Sequence, residues 1–277
     1  NEAPTNIALS SSTIAEDQSS GTTIGTFDPA DVDQDENSGG TNTDNNTYTY
    51  SLVSGTGSTD NGSFAINSAG TGIETGIALD FENKSSYSVR VNVNDGANDF
   101  AKALTISISN ANDAPTALSI DSTAIDENSA AGSTIGQMSS TDQDTEDQST
   151  FTYTIVAGAG DTDNASFAVS GRNLVTADGV ALNYETKDTY LVRVRTADGS
   201  GGTFEQALTI SISDVNEAPT DIALSSSTIA EDQSSGTTIG TFDPADVDQD
   251  ENSGGTNTDN NTYTYSLVAG TGDTDNG

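Results

Sequence analysis

Asp31, Asp33 and Asp35 stand at every second position of one short stretch, and Asp246, Asp248 and Asp250 repeat that spacing. A shorter version, Asp142 and Asp144, lies between them in the chain. Like charges held this close repel unless something neutralises them. A hard divalent cation does so, and calcium takes six to eight oxygens from carboxylates, amides and backbone. A solvated acidic loop is the alternative reading of such a run. An EF-hand is excluded, because the sixth residue from Asp31 is Glu36 and the twelfth is Asn42, where that loop needs Gly and Glu. Catalysis has little to work with: the sequence contains no His and no Cys, so the usual base and thiol nucleophile are missing.

The balance of charge points the same way. Seven Lys and Arg stand against 43 Asp and Glu, a formal net charge of −36. That field repels nucleic acid and anionic membrane surfaces and attracts cations. No apolar run is long enough to span a bilayer, so no membrane insertion is expected of this segment. Without cysteine, no disulfide framework is available. Hydrophobic residues make up 32% of the chain, which favours thin sheet-on-sheet cores in domains of about 100 residues.

The elements that must position these acids are repeated. Ile7–Val53 recurs without a change as Ile222–Val268. A middle copy has diverged, and the three starts read Asn1-Glu-Ala-Pro-Thr5, Asn112-Asp-Ala-Pro-Thr116 and Asn216-Glu-Ala-Pro-Thr220. The expected organisation is A-B-A, with domains at 1–113, 114–218 and a partial 219–277. The partial third unit predicts a window cut from a longer array. Apolar residues recur with a period of two: Tyr87, Val89, Val91 and Val93, then Leu104, Ile106 and Ile108. The second unit repeats this with Tyr190, Val192 and Val194, then Leu208, Ile210 and Ile212. Further strands are expected at Ile7–Ser10, Thr22–Phe27, Tyr48–Val53 and Ser63–Ile66, and Glu36–Asn46 reads as a loop. About seven short strands per unit predict an all-β fold of tandem immunoglobulin-like Greek-key sandwiches.

Acids also recur at fixed places in this frame. Glu16, Glu127 and Glu231 each precede a Gly-x-Thr-Ile-Gly step. Leu79-Asp-Phe-Glu82 and Leu182-Asn-Tyr-Glu185 come next, then Asp95-Gly96 and Asp198-Gly199. The units close on Asn110-Ala-Asn-Asp-Ala-Pro115 and Asp214-Val-Asn-Glu-Ala-Pro219. In this order the set resembles the cadherin family, and in particular the cadherin-like repeats of giant bacterial surface and secreted proteins.

That resemblance implies calcium at the junctions between successive repeats, several ions in all. At the first junction it assigns Glu16, Asp80, Glu82, Asn110, Asn112 and Asp113, joined by Asp142, Asp144 and Asp198. At the second it assigns Glu127, Asn183, Glu185, Asp214, Asn216 and Glu217, joined by Asp246 and Asp248. Asp31, Asp33 and Asp95 hold the corresponding places in the first unit and belong to the same metal-ligand set. Asn183 stands where the pattern has Asp, which predicts weaker binding at the second junction; Asn110 and Glu217 are further departures. The set leaves many acids unexplained, and a high-salt adaptation would account for the surplus.

The function implied is a calcium-stiffened extracellular stalk or adhesion array, secreted to a cell surface and not enzymatic. Its expected partners are calcium, neighbouring repeats of the same chain, and other copies of the chain or a surface receptor or glycan. A self-assembling filament or surface layer is the alternative, and a calcium-dependent sugar-binding module a third.

Overall fold

The computed structural model describes residues 2–32, 47–144, 150–248 and 263–270. The chain divides into two compact units. The first takes Asn1–Thr116 with Asp142–Thr150 and Asp198–Gly202; the second takes Ala117–Thr141, Phe151–Ala197 and Thr203–Gly277. Among the described residues regular structure is almost all strand, with 3₁₀ turns at Asn61–Ser63 and Asn164–Ser166. Among the described residues no helix is long and apolar enough to cross a membrane.

The first unit is a sandwich of two four-stranded sheets. One sheet orders β1 (Asn6–Leu9), β3 (Thr23–Ala30), β6 (Gly72–Thr75) and β5 (Phe64–Ile66) as β1-β3-β6-β5. The other orders β2 (Thr13–Ala15), β8 (Asp99–Ser109), β7 (Ser86–Asn94) and β4 (Thr49–Leu52) as β2-β8-β7-β4. The period-two pattern sets the inner faces, since successive side chains point to opposite sides of a strand. Ile7, Ile73, Val89, Val91, Val93 and Ile106 are buried completely, each contributing about 1.5–3 kcal/mol of transfer free energy. Phe64 and Tyr87 close the core edge-to-face at 5.5 Å.

The second unit repeats this plan. Its sheets run β9 (Ala117–Ile120), β11 (Thr134–Thr141), β14 (Asn173–Thr176) and β13 (Phe167–Ser170), and β10 (Ala124–Asp126), β16 (Thr203–Ser213), β15 (Thr189–Ala197) and β12 (Thr152–Ile155). Their spatial orders are β9-β11-β14-β13 and β10-β16-β15-β12. Met138, Leu174, Leu182, Val192, Val194 and Ile210 are its fully buried core. Beyond it, β17 (Asp221–Leu224) and β18 (Phe242–Ala245) pair antiparallel as a two-stranded sheet.

Among the described residues each sandwich has eight strands, where the sequence predicts about seven. The additional elements are short. β2 and β10 have three residues each and pair parallel to β8 and β16, a non-local partnership that three residues of sequence do not announce. This parallel pairing positions the first acid of each set. Glu16 follows β2 directly and its N–H reaches Ser109 O at 3.2 Å; Glu127 follows β10 and its N–H reaches Ser213 O at 3.0 Å. Both acids therefore lie beside the last residue of the strand that leads into the linker.

Candidate metal centres

Glu16 is buried, yet both carboxylate oxygens are engaged. Oε2 accepts from Phe81 N at 2.6 Å and Oε1 from Ala111 N at 2.7 Å. Glu127 does the same with Tyr184 N and Val215 N, both at 2.9 Å. One side chain thus ties the Leu-Asx-aromatic-Glu turn to the linker. The residue after each Glu turns the chain with a left-handed backbone, Asp17 at φ 59° and Asn128 at φ 54°. Asp and Asn tolerate this conformation. Their N–H groups donate to Leu79 O and Leu182 O, closing the same turn from the other side.

Within the first unit, carboxylate oxygens of Glu16, Glu82 and Asp113 lie within 4.8 Å of one another. Asp144 joins them through the linker backbone, since Asp113 N donates to its Oδ2 at 2.7 Å. Asp144 N in turn donates to Asp142 Oδ1 at 3.2 Å. Two oxygens are then left over: Asp142 Oδ2 and Asp144 Oδ1 are buried without a hydrogen-bond partner. Asp198 is almost fully buried. Its Oδ1 accepts from Ser200, Gly201 and Gly202 N, and its Oδ2 from Asn112 Nδ2. Gly202 is required there, because a Cβ would sit 2.2 Å from Asp198 Oδ2 and 2.6 Å from Ala114 Cα.

Within the second unit, two such groups form. Glu127, Glu185 and Asp214 make one, and Glu185, Glu217 and Asp248 the other, each with oxygens within 4.8 Å. Glu217 N donates to Asp248 Oδ2 at 2.7 Å, and Asp248 N donates to Asp246 Oδ1 at 3.3 Å. Glu217 Oε2 and Asp248 Oδ1 are buried without a partner.

Several residues assigned from the sequence lie outside these groups of three. Asp80 Oδ1 accepts from Asn83 N at 2.7 Å, and Asn183 Oδ1 accepts from Thr186 N at the same distance. The oxygen present in both side chains shapes the turn that carries Glu82 or Glu185. Asn112 and Asn216 donate from Nδ2 to the carbonyls of Asp113 and Glu217, and Asn110 lies between β8 and Ala111. Asp31 accepts from Tyr48 OH at 3.2 Å and Asp246 from Tyr263 OH at 2.9 Å. Asp95 accepts from Ala97 N and Asn98 N. Asp33 and the loop at Glu36–Asn46 lie outside the described residues. Two contacts were not read from the sequence: Gln143 donates to Asp113 Oδ2 at 3.1 Å, and Asn128 donates to Glu217 Oε1. Their position inside Asp142-Gln-Asp144 and directly after Glu127 was the available signal.

The electrostatics follow from this crowding. Desolvation, and then the charges of Glu16 and Asp144, raise the Glu82 carboxyl. Asp113 is raised by desolvation together with Asp17, Glu16 and Asp144. Glu185 is raised by desolvation and by Glu127, Asp214 and Asp248, and Glu217 by desolvation, Asp248 and Glu127. Asp198 differs: desolvation pushes it up, but Asn112 and three backbone N–H groups outweigh that and lower it.

Comparison with known proteins gives one consistent picture. The model of the cadherin domain matches residues 10–109 and 121–213. Protocadherin Fat 4 of Mus musculus is 31% identical over 214 residues, covering 74% of this chain, and the Homo sapiens protein 28% identical over 228 residues, covering 80%. The chain spans only 4% of the length of each. Among solved structures, mouse cadherin-23 EC22-24 matches at 21% identity and TM-score 0.55, covering 86% of this chain and 74% of its own. Human protocadherin-24 EC1-2 matches at 20% identity and TM-score 0.54, covering 76% of this chain and 100% of its own.

Proposed function

Since the chain belongs to the cadherin-domain family, we propose that its carboxylate groups bind calcium and that it serves as an extracellular stalk or adhesion array. One observation carries the reading. Four carboxylate oxygens in these groups are buried with no partner, a state that costs about 1–3 kcal/mol each, and more for charged groups, unless a cation answers it. The donor set is all oxygen, from carboxylates and amides, which suits a hard cation and not a soft one. Bound calcium would supply charge neutralisation and a cross-link. The chain's own residues do the rest: Glu16 and Glu127 fix the turns, and the Asp144 and Asp248 carboxylates fix the linker N–H groups.

In this reading the repeats are 1–113, 114–218 and the partial 219–277, and the ions sit at their junctions. Calcium binding then becomes stiffness, because the free energy of binding is spent on ordering the linker. In this reading the chain is secreted to a cell surface, with calcium in place of disulfides as the staple, since cysteine is absent. The verbatim repetition of Ile7–Val53 suits the second reading, a self-assembling filament or surface layer. No His or Cys is present for catalysis, and we read the chain as non-enzymatic. The partner at the cell surface, whether another copy, a receptor or a glycan, is left open by this reading.

Isothermal titration with calcium, paired with small-angle scattering, tests the proposal. Uptake of several ions and a longer maximum dimension in calcium than in chelator is the expected result. No uptake, or the same dimension in both, would sink it. Calcium-dependent growth of the particle on sedimentation would favour the assembly reading.

A further inference from the structure

The turn that carries Glu82 also carries a lysine two residues on, and so does the turn of Glu185. These are Lys84 and Lys187, two of only seven cationic side chains in the molecule. A lysine beside a cation-binding carboxylate is a competitor, since its ammonium is a compact charge on a flexible four-carbon stem. In both units that ammonium is held elsewhere. Lys84 Nζ contacts Asp60 Oδ1 at 2.5 Å and lies 4.7 Å from the centre of the Tyr87 ring. Lys187 contacts Asp163 Oδ1 and lies 4.7 Å from the centre of the Tyr190 ring.

The receiving aspartates are themselves fixed. Asp60 Oδ2 accepts from Ser88 N at 2.7 Å, and Asp60 N donates to Ser88 O at 3.1 Å. Asp163 makes the same two bonds with Leu191, at 2.8 and 3.0 Å. The Asp side chains are 14% exposed while the lysines are 42% and 41% exposed. A stationary carboxylate therefore anchors a side chain with room to move. Lys84 alone lowers the Asp60 carboxyl more than any other partner, with Ser88 N next. A surface ion pair of this kind does little for stability, about 0–1 kcal/mol, yet the arrangement occurs in both units.

We infer that Asp60 and Asp163 are positioning residues: with the Tyr87 and Tyr190 rings they hold Lys84 and Lys187 away from the carboxylates of Glu82 and Glu185, leaving those free for a divalent cation. This rests on the calcium reading above. Without the aspartate, the freed ammonium would pair with the neighbouring acidic group and would have to be displaced by each incoming ion.

The test is calcium titration of the full chain carrying Asp60→Asn and Asp163→Asn, with thermal unfolding in chelator to confirm folding. A roughly three- to fivefold weaker calcium affinity is expected, the size of one exposed ion pair. Adding Lys84→Met and Lys187→Met to the same chain is expected to restore the affinity, because no competitor remains. A purely structural aspartate would not be rescued this way. Unchanged affinity in the Asn variants, or a loss that persists after the Met changes, would overturn the inference. If the Asn variants do not fold, the Lys84→Met/Lys187→Met chain decides: affinity equal to or tighter than the unaltered chain supports the inference, and weaker affinity refutes it. Failure of the unaltered chain to take up calcium would instead sink the cation reading, and this inference with it.

Discussion

Glu16 and Glu127 do two jobs with one functional group. Each accepts one N–H from its turn and one from its linker, so a carboxylate that the calcium proposal assigns to an ion also organises the peptide around it. An amide in its place can accept only through one oxygen and sets an N–H₂ against a backbone N–H. Glu127→Gln is therefore expected to destabilise the calcium-free chain by about 1–3 kcal/mol in chemical denaturation. Glu231 has the same sequence neighbours as Glu16 but is exposed, and Glu231→Gln is expected to stay within about 0.5 kcal/mol. Much of this residue-level picture was legible in the sequence, because acids in a fixed order imply a common target. What escaped was the division of labour. Asp80 and Asn183 differ in charge, and the sequence predicts weaker binding from the change. Yet both offer the same Oδ1 to a backbone N–H three residues on, a role that charge counting does not reveal.

At the scale of elements, the identical segments separate local from tertiary causes. Thr13–Ala15 forms β2 by pairing with β8; its copy Thr228–Ala230 is not a strand. Ile7 is completely buried on β1, whereas its copy Ile222 on β17 is 52% exposed. The same letters thus give different structure where the packing partners differ. Ile7→Ala is expected to cost about 2–5 kcal/mol and Ile222→Ala less than about 0.5 kcal/mol, both measured by denaturant unfolding of residues 1–277. The long strands β7, β8, β15 and β16 were readable because nine to eleven residues of alternation leave one inner face. β2, β6, β10 and β14 were not: three or four residues carry little pattern of their own, and although β1, β4 and β5 are as short, these four take their assignment from a neighbouring strand.

For the whole molecule, the carboxylates pull stability in opposite directions with pH. Glu82, Asp113, Glu185 and Glu217 are raised in the folded chain. The native state therefore holds their protons more tightly than the unfolded state. Their contribution is fully present below the ordinary carboxylate range and is lost as pH rises through the raised values. Asp60, Asp163 and Asp198 are lowered, so theirs is present above the ordinary range and lost as pH falls below it. On acidification from neutral pH the raised groups are thus expected to add stability to the calcium-free chain, and the lowered groups to remove it as pH falls further. Thermal unfolding across pH in chelator measures this. With calcium the trend from neutral pH is expected to reverse, because protons displace the ion.

The parallel pairing of β2 with β8, and of β10 with β16, bears on how each sandwich meets a pull. Tension enters a sandwich from its N-terminal side and leaves through its last strand. Because the two strands run in the same direction, force drives them past each other lengthwise. All three paired positions, Thr13 with Ser107, Ile14 with Ile108 and Ala15 with Ser109, are strained together and cannot open one after another as in an unzipping hairpin. The three-residue strands β2 and β10 are therefore where a pull along the chain would be resisted in shear, and the glutamate that follows each is fastened to the linker.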